Sequence, residues 1–140
     1  MHPKLEPLIQ REVKKLLDAR IIFKVRHSEW VSTLVPMRKN SREIRLCIDF
    51  RNLNCASDKD NYPVPPMEQL LQMVSGSKLF SLLDGFSGYN EVLVAKEDRL
   101  KTTLRTKWGT FAYRRMPFGL INDGATFQRA MDIDFHGLID

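Results

Sequence analysis

The chain has 140 residues, 43% of them hydrophobic and 28% charged, so it is long enough for one folded domain and too short for two independent cores. No apolar run approaches the roughly 20 residues of a membrane helix, and the first residues lack the apolar stretch of a signal peptide. The only cysteines, Cys47 and Cys55, are too few for a disulfide framework or a four-ligand zinc site. We expect an intracellular protein with no membrane partner.

The net charge of +5 belongs to the first part of the chain. Residues 1–60 contain 13 Lys and Arg against 8 Asp and Glu, whereas residues 61–140 contain 9 of each. A basic segment attracts polyanions such as nucleic acid. An acidic protein, an anionic membrane surface or a merely solvated face would explain the same charge.

Hydrophobic periodicity predicts three elements in the first half. Apolar residues recur at helical spacing between Leu8 and Leu17, which indicates a helix from about Glu6 to Ala19. Two β-rich runs follow, Val31 to Met37 and Ile44 to Arg51, and we expect them to pair as a hairpin. The polar link between these runs carries three cationic side chains at the predicted tip: Arg38, Lys39 and Arg42.

Prolines between Tyr62 and Pro66 predict an extended linker before the second half. After it we expect a helix from Met67 to Val74 and an apolar strand from Lys78 to Asp84. Three short strands are predicted at 92–95, 104–107 and 111–114. The last predicted element is a helix capped by Asn122 or Asp123.

Asp84 is the first candidate for chemistry, because it ends an apolar run and precedes a glycine that permits close approach of a ligand. A two-metal phosphoryl-transfer site needs several carboxylates around Mg²⁺ ions about 4 Å apart. One aspartate does not meet that need. An aspartate that only caps a turn would give the same local pattern.

Two other segments suit nucleic acid. Residues 99–115 contain six basic residues, no acidic residue and three aromatics, as expected of a groove that follows a phosphate backbone. The loop from Met116 to Asn122 leads into a helix on which Gln128 or Arg129 would lie beside a nucleic-acid strand. A solvated basic edge and a core-packing helix are the alternatives.

Five ordered blocks then resemble one family. They read RLCIDFRNLN at 45–54, DNYPVP at 60–65, FSLLDGFSGY at 80–89, WGTF at 108–111, and MPFGL with GATFQRAM within 116–131. The chain resembles the reverse transcriptase of Ty3/gypsy-type LTR retrotransposons, especially the plant elements, from about Leu5 to Phe135. The resemblance implies an α+β fold in which an antiparallel sheet has flanking helices. It also implies a fingers subdomain over residues 1–62 and a partial palm over 63–140.

The resemblance assigns the metal site. Asp84 matches the first catalytic aspartate, which binds both Mg²⁺ ions, and the carbonyl of Gly85 would also face a metal. The family's other two aspartates lie in a Tyr-x-Asp-Asp hairpin, and the sequence reaches Asp140 without it. Asp132 and Asp134 do not replace them, because residues two apart on a helix point about 200° from each other. We therefore expect the chain alone to be inactive, with Mg²⁺ at most incompletely bound. Its expected partners include the C-terminal palm, thumb and RNase H regions of a parent polyprotein.

The resemblance also assigns the substrate contacts. Lys39 and Arg45 match fingers residues that hold the triphosphate of the incoming dNTP. Tyr89 matches the aromatic gate that excludes a ribose 2′-OH, and Phe118 and Gly119 match the loop that lines the nucleotide pocket. The residues expected to contact an RNA or DNA template-primer are Arg51, Arg105, Lys107, Gln128 and Arg129.

The chain departs from the family pattern at particular positions. Arg20 stands where a glycine usually ends the first helix, and Asp123 and Asp134 stand where small residues are usual. Because Phe127 and Met131 share a helix face with Asp134, we expect this carboxylate to interrupt the core stripe. We also expect low stability and association through an uncovered apolar edge. Two alternative functions remain: a non-catalytic nucleic-acid-binding module, and an unselected relic that does not fold stably.

Overall fold

A computed structural model describes residues 3–39, 43–81 and 88–138. The helices within these segments are α1 (Glu6–Asp18), α2 (Arg51–Ala56), α3 (Met67–Val74) and α4 (Asp123–Asp134). The strands are β1 (Ile22–Lys24), β2 (Ser32–Arg38), β3 (Ile44–Asp49), β4 (Leu104–Thr106) and β5 (Gly109–Tyr113). No helix in these segments combines the length and the apolar character needed to cross a membrane.

The strands form a single five-stranded sheet in the order β1-β5-β4-β2-β3. The α+β class is confirmed, but the sheet is mixed and not purely antiparallel, because β2 and β4 pair in parallel at Ser32–Leu104 and Thr33–Arg105. The predicted hairpin of β2 and β3 is present, with Leu34 opposite Ile48 and Met37 opposite Arg45. Strands β4 and β5 follow residue 62 and still pair within the sheet that β1, β2 and β3 form.

One side of the sheet carries the hydrophobic core. Strand alternation places Leu34, Ile48, Leu104 and Phe111 on this side, and α1 packs against it through Ile9 and Val13. The opposite side, which we call the open face, is formed by Thr33, Val35, Met37, Arg45, Asp49 and Arg105. Across β2, β3 and β4 the sheet therefore has one covered surface and one that a ligand can reach, whereas Ala112 of β5, on the side of the open face, is buried.

Helix α1 ends in a turn formed by a residue with positive φ. Arg20 has a φ of +58°, in the left-handed region that glycine adopts most easily. Its N–H donates to the Leu17 carbonyl, and the N–H of Ile21 donates to the Leu16 carbonyl, both at 3.0 Å. This pair of bonds is a Schellman motif. It turns the chain from α1 into β1, a three-residue strand too short to show a periodic pattern in the sequence.

Three strand predictions are wrong in part. Residues Lys78–Ser81 are not in a strand, and Leu79 and Phe80 are 92% and 61% exposed, so this apolar run packs against nothing in the described segments. The predicted strand at 92–95 is reduced to one bridge between Leu93 and Arg115. Strand β3 ends at Asp49, because α2 begins at Arg51. Residues Lys96–Thr102 form a 3₁₀-helix that was not predicted.

Helices α3 and α4 are covered less than their patterns imply. No residue of α3 is buried, although Met67, Leu70, Leu71 and Val74 form one apolar stripe. In α4 only Ala125 is buried, and the far end of the helix faces solvent. Asp134 is therefore exposed, and the expectation that it interrupts a packed stripe is wrong.

Candidate functional site

An aromatic cluster joins two segments that are distant in sequence. Tyr89 stacks on Phe118 with ring centroids 6.0 Å apart and an angle of 15°, and it meets Phe127 of α4 edge-on at 5.2 Å. Gly88 permits the close approach of Phe127, since a Cβ atom at residue 88 would lie 2.9 Å from that ring. Burial and, to a smaller extent, the charge of Asp123 raise the pKa of the Tyr89 phenol. Phe118 is 73% exposed, so one ring of the cluster is open to a ligand.

The loop after Phe118 is held by side chains at both sides of Gly119. Gly119 has a φ of +104°, which disfavours any residue with a Cβ. Its N–H donates to Oδ2 of Asp123 at 2.8 Å, and its carbonyl accepts from Nδ2 of Asn54 at 2.9 Å. Oδ1 of Asn54 also accepts from the Ile121 N–H at 2.8 Å. The loop is thus fixed against the end of β3 and α2.

Asn122, at the other end of this loop, binds the segment that follows α2. It precedes α4, but its side chain does not cap the helix. Instead its Nδ2 donates to the Asp58 carbonyl and its Oδ1 accepts from the Asp60 N–H, both at 2.8 Å. The sequence analysis missed the roles of Asn54 and Asn122, because no local pattern distinguishes an asparagine that binds a distant loop from one that caps a helix or a turn.

The residues predicted to hold the triphosphate lie on the β2–β3 hairpin. The Lys39 N–H donates to the Glu43 carbonyl at 3.0 Å, and the side chains of Lys39 and Arg45 are exposed. Arg45 lies on the open face, opposite Met37. Along β3 it is three residues from Ile48, whose carbonyl is close to Gly119, so about 10 Å of strand separates the hairpin arginine from the loop. No hydrogen bond or ion pair among the described residues joins Arg45 to the aromatic cluster.

The predicted template contacts on or near the sheet differ in their partners. Arg105 is exposed on the open face beside Thr33, with no ion pair or hydrogen bond to its side chain in the described segments. Arg51 instead forms a two-pronged pair with Asp49, with its Nη2 2.6 Å from Oδ2. This hydrogen bonding lowers the pKa of Asp49 and raises that of Arg51. Lys107 pairs with Glu6 at 2.9 Å.

The predicted contacts on α4 fasten the helix to the segment before the proline linker. Arg129 pairs with Asp60 at 2.8 Å and lies 4.6 Å from the ring centroid of Tyr62. Gln128 donates to Asp132 at 3.0 Å, and the Tyr62 hydroxyl donates to the other oxygen of that carboxylate. These hydrogen bonds lower the pKa of Asp132, and the bond from Arg129 lowers that of Asp60. The tyrosine pKa is raised by its bond to Asp132.

The predicted metal site cannot be compared with this geometry, since Asp84 and Gly85 lie outside the described residues. Elsewhere, the described segments contain no group of three His, Cys, Asp or Glu side chains able to hold a metal ion. Asp123, whose charge acts on Tyr89, is engaged with the Gly119 amide.

A model of the family "Reverse transcriptase (RNA-dependent DNA polymerase)" matches residues 37–140, which include both the hairpin strand β3 and the aromatic cluster. The chain belongs to the reverse transcriptase family. The resemblance stated from the five sequence blocks is therefore confirmed.

Curated relatives of this reverse transcriptase chain include retrotransposon polyproteins. It is 37% identical over 129 residues to the Retrovirus-related Pol polyprotein from transposon gypsy of Drosophila melanogaster, covering 89% of this chain and 12% of that protein. It is 40% identical over 97 residues to the RNA-directed DNA polymerase homolog of Oenothera berteroana, covering 69% of this chain and 68% of that protein. The chain thus spans about an eighth of the gypsy polyprotein.

Solved structures agree on the fold. The foamy viral protease-reverse transcriptase in complex with double-stranded DNA superimposes with a TM-score of 0.82 at 18% identity, covering 98% of this chain and 24% of that one. The same viral enzyme in complex with an RNA/DNA hybrid gives a TM-score of 0.81, also at 18% identity, with coverage of 96% and 18%.

Proposed function

We propose that the chain is the nucleotide- and template-contacting part of a retrotransposon RNA-directed DNA polymerase, with fingers over residues 1–62 and the first part of the palm over 63–140. The observation that carries this proposal is the contact of Tyr89 with Phe118 beside the fixed Gly119 loop. These three residues come from two separate sequence blocks, and the resemblance of those blocks to the family assigns each residue to the nucleotide pocket. In the proposal Tyr89 excludes a ribose 2′-OH, while Phe118 and Gly119 line the pocket.

The exposed cations of the open face support the proposal that the triphosphate and the template bind there. Arg45 and Arg105 lie on this face, and register through Thr33 puts Arg105 and Asp49 two strands apart, or about 10 Å. A planar guanidinium suits bidentate contact with phosphate oxygens, and the Lys39 ammonium adds a point charge at the hairpin end. Neither Arg45 nor Arg105 has to break an ion pair within the described segments before it binds an anion.

The other side chains that we propose to contact the template already form ion pairs or hydrogen bonds within the free chain. Exposed ion pairs such as Arg51–Asp49, Lys107–Glu6 and Arg129–Asp60 contribute little to stability, because water and salt screen them. A phosphate can therefore replace the carboxylate as the partner of each cation at small cost. Gln128 would exchange its bond to Asp132 in the same way.

We assign the metal-binding role to Asp84, with the Gly85 carbonyl beside it. Reverse transcriptases use divalent metal, and Mg²⁺ in such a site neutralises charge that develops on the transferred phosphoryl group. One carboxylate does not fix two ions. We therefore propose that this chain does not extend a primer alone, and that palm, thumb and RNase H regions of a longer polyprotein complete the enzyme.

Fluorescence anisotropy with a labelled RNA/DNA primer-template tests nucleic-acid binding. The logarithm of the affinity should fall linearly with the logarithm of salt concentration, with a slope of about −0.9 per phosphate contacted. Arg45→Ala and Arg105→Ala should each make that slope shallower by about one contact. Lys14→Ala removes the same charge from the exposed side of α1, away from the open face, and should leave the slope unchanged. Equal effects of all three substitutions would contradict the assigned face.

A primer-extension assay tests whether this chain alone has polymerase activity or is inactive, as we propose. The purified chain with Mg²⁺ and dNTPs should give no product, and salt-dependent binding without extension is also what a non-catalytic binding module would show. Extension that Asp84→Asn abolishes would refute the proposed inactivity and establish an active site in this chain. Absence of any binding at low salt would reject both the polymerase and the binding-module readings.

A further inference from the structure

We propose that Asp123 is a positioning residue of the nucleotide pocket, which it serves by holding the main-chain amide of Gly119. This inference rests on the proposed function, because the importance of the loop comes from its assignment to the pocket.

The hydrogen bond from the Gly119 N–H to the Asp123 carboxylate, which we call the latch, spans one turn of the chain. Asp123 is the first residue of α4, and its Oδ2 accepts the Gly119 N–H at 2.8 Å from four residues further along the chain. A carboxylate at a helix N-terminus is favoured by the helix dipole. The charge-assisted bond that it accepts is stronger than a bond between neutral groups.

The opposite side of Gly119 is held independently. Its carbonyl accepts from Asn54, which also accepts from the Ile121 N–H. With both ends of the glycine fixed, the left-handed φ of +104° is maintained and Phe118 is directed toward Tyr89. The side chain of Asn122, which would be the usual cap of α4, is occupied by Asp58 and Asp60. Among the two polar side chains at the start of α4, Asp123 is therefore the one that binds the Gly119 amide.

A consequence for substrate binding follows from this arrangement. The Gly119 amide is already engaged, so it is not a free donor for an incoming nucleotide. The loop acts instead as a preorganised surface that presents the exposed Phe118 ring, and preorganisation reduces the ordering cost of binding. Loss of the latch should therefore weaken nucleotide binding without removing any direct contact to the nucleotide.

Amide hydrogen exchange measured by NMR tests the latch in the free protein. Asp123→Ala should raise the exchange rate of the Gly119 amide by about tenfold, as expected for loss of one hydrogen bond to a charged acceptor. Asp123→Asn retains an acceptor oxygen and should restore most of the protection. The amide of Ala112 in strand β5 is the internal reference, since a change there reports loss of global stability. Unchanged protection of Gly119 in the alanine variant would overturn the latch.

Titration with dATP and Mg²⁺, followed through the NMR signals of Tyr89 and Phe118, tests the positioning role. The alanine variant should bind several-fold more weakly than the wild type, and the asparagine variant nearly as well as it. Equal affinities in all three forms would overturn the positioning role and leave the proposed function standing. If no form shifts these signals, the proposed function fails, and the exchange data alone decide whether the latch exists.

Discussion

The residue with left-handed backbone conformation at the end of α1 allows a test of whether backbone strain at this position lowers the stability of the protein. Arg20 has a φ of +58° and forms the turn of the Schellman motif that starts β1. Substitution of Arg20 by glycine leaves both main-chain hydrogen bonds in place and removes the Cβ that disfavours this conformation. We expect Arg20→Gly to stabilise the protein.

The expected gain is the difference between two terms. A residue with a Cβ in the left-handed region costs about 1–2 kcal/mol. Glycine loses more backbone entropy on folding, which costs about 0.5–1 kcal/mol. The net stabilisation is about 0.5–1 kcal/mol, which corresponds to roughly 2–4 °C in the thermal midpoint for a domain of this size.

Differential scanning calorimetry with matched variants separates the possible causes. Arg20→Ala removes the guanidinium but keeps the Cβ, so it should give no increase. Lys14→Gly, at an exposed position inside α1, should lower the midpoint, because glycine costs about 1 kcal/mol in a helix interior. If Arg20→Ala raised the midpoint as much as Arg20→Gly, the gain would come from the removed charge, and the backbone explanation would be refuted.

Four further outcomes are expected. Asp134→Ala should leave the thermal midpoint almost unchanged, since the carboxylate is exposed; a clear increase would restore the packed-stripe expectation. Burial raises the pKa of Tyr113 to about 12. Because its neutral form is favoured in the folded state, its stabilising contribution is complete below its unfolded pKa of about 10 and is lost as pH rises through 12. Tyrosinate absorbance should therefore include a phenol that ionises near 12, and the absence of any ionisation in that range would contradict the burial of Tyr113. Gly88→Ala should displace the Phe127 ring and destabilise by about 1–3 kcal/mol, measured by urea unfolding, and an unchanged free energy of unfolding would contradict the close packing of this ring. Leu71→Glu should reduce self-association in light scattering, and equal scattering would show that the α3 stripe does not drive it.

Periodicity in the sequence was sufficient for the elements that lie against the core. Helix α1 and the hairpin strands β2 and β3 have apolar positions whose spacing matches the surface they cover, as Leu34 opposite Ile48 shows. Helix α3 was also placed correctly, from Met67 to Val74, although none of its residues is buried. Its amphipathic pattern predicts the helix but not whether a partner surface is present.

The sequence blocks were likewise sufficient for the family, because five ordered motifs are far more specific than any one of them. The partners of those residues could not be predicted. Arg51, Lys107 and Arg129 are all basic and exposed in the sequence, and only the fold brings each beside a carboxylate. Arg105 is equally basic and exposed, yet it forms no such ion pair in the described part of the chain.

The tertiary structure alone decided which side chains hold the loop around Gly119. Asn54 and Gly119 are brought together by the return of the chain from β5 past the end of β3, and no local pattern encodes that distance. Asp123 was predicted as a possible cap of the last helix, whereas its carboxylate accepts a hydrogen bond from Gly119 in the loop that precedes the helix. Local spacing determines which face of an element is apolar. The pairing of polar groups across the chain depends on distances that exist only after the sheet has assembled.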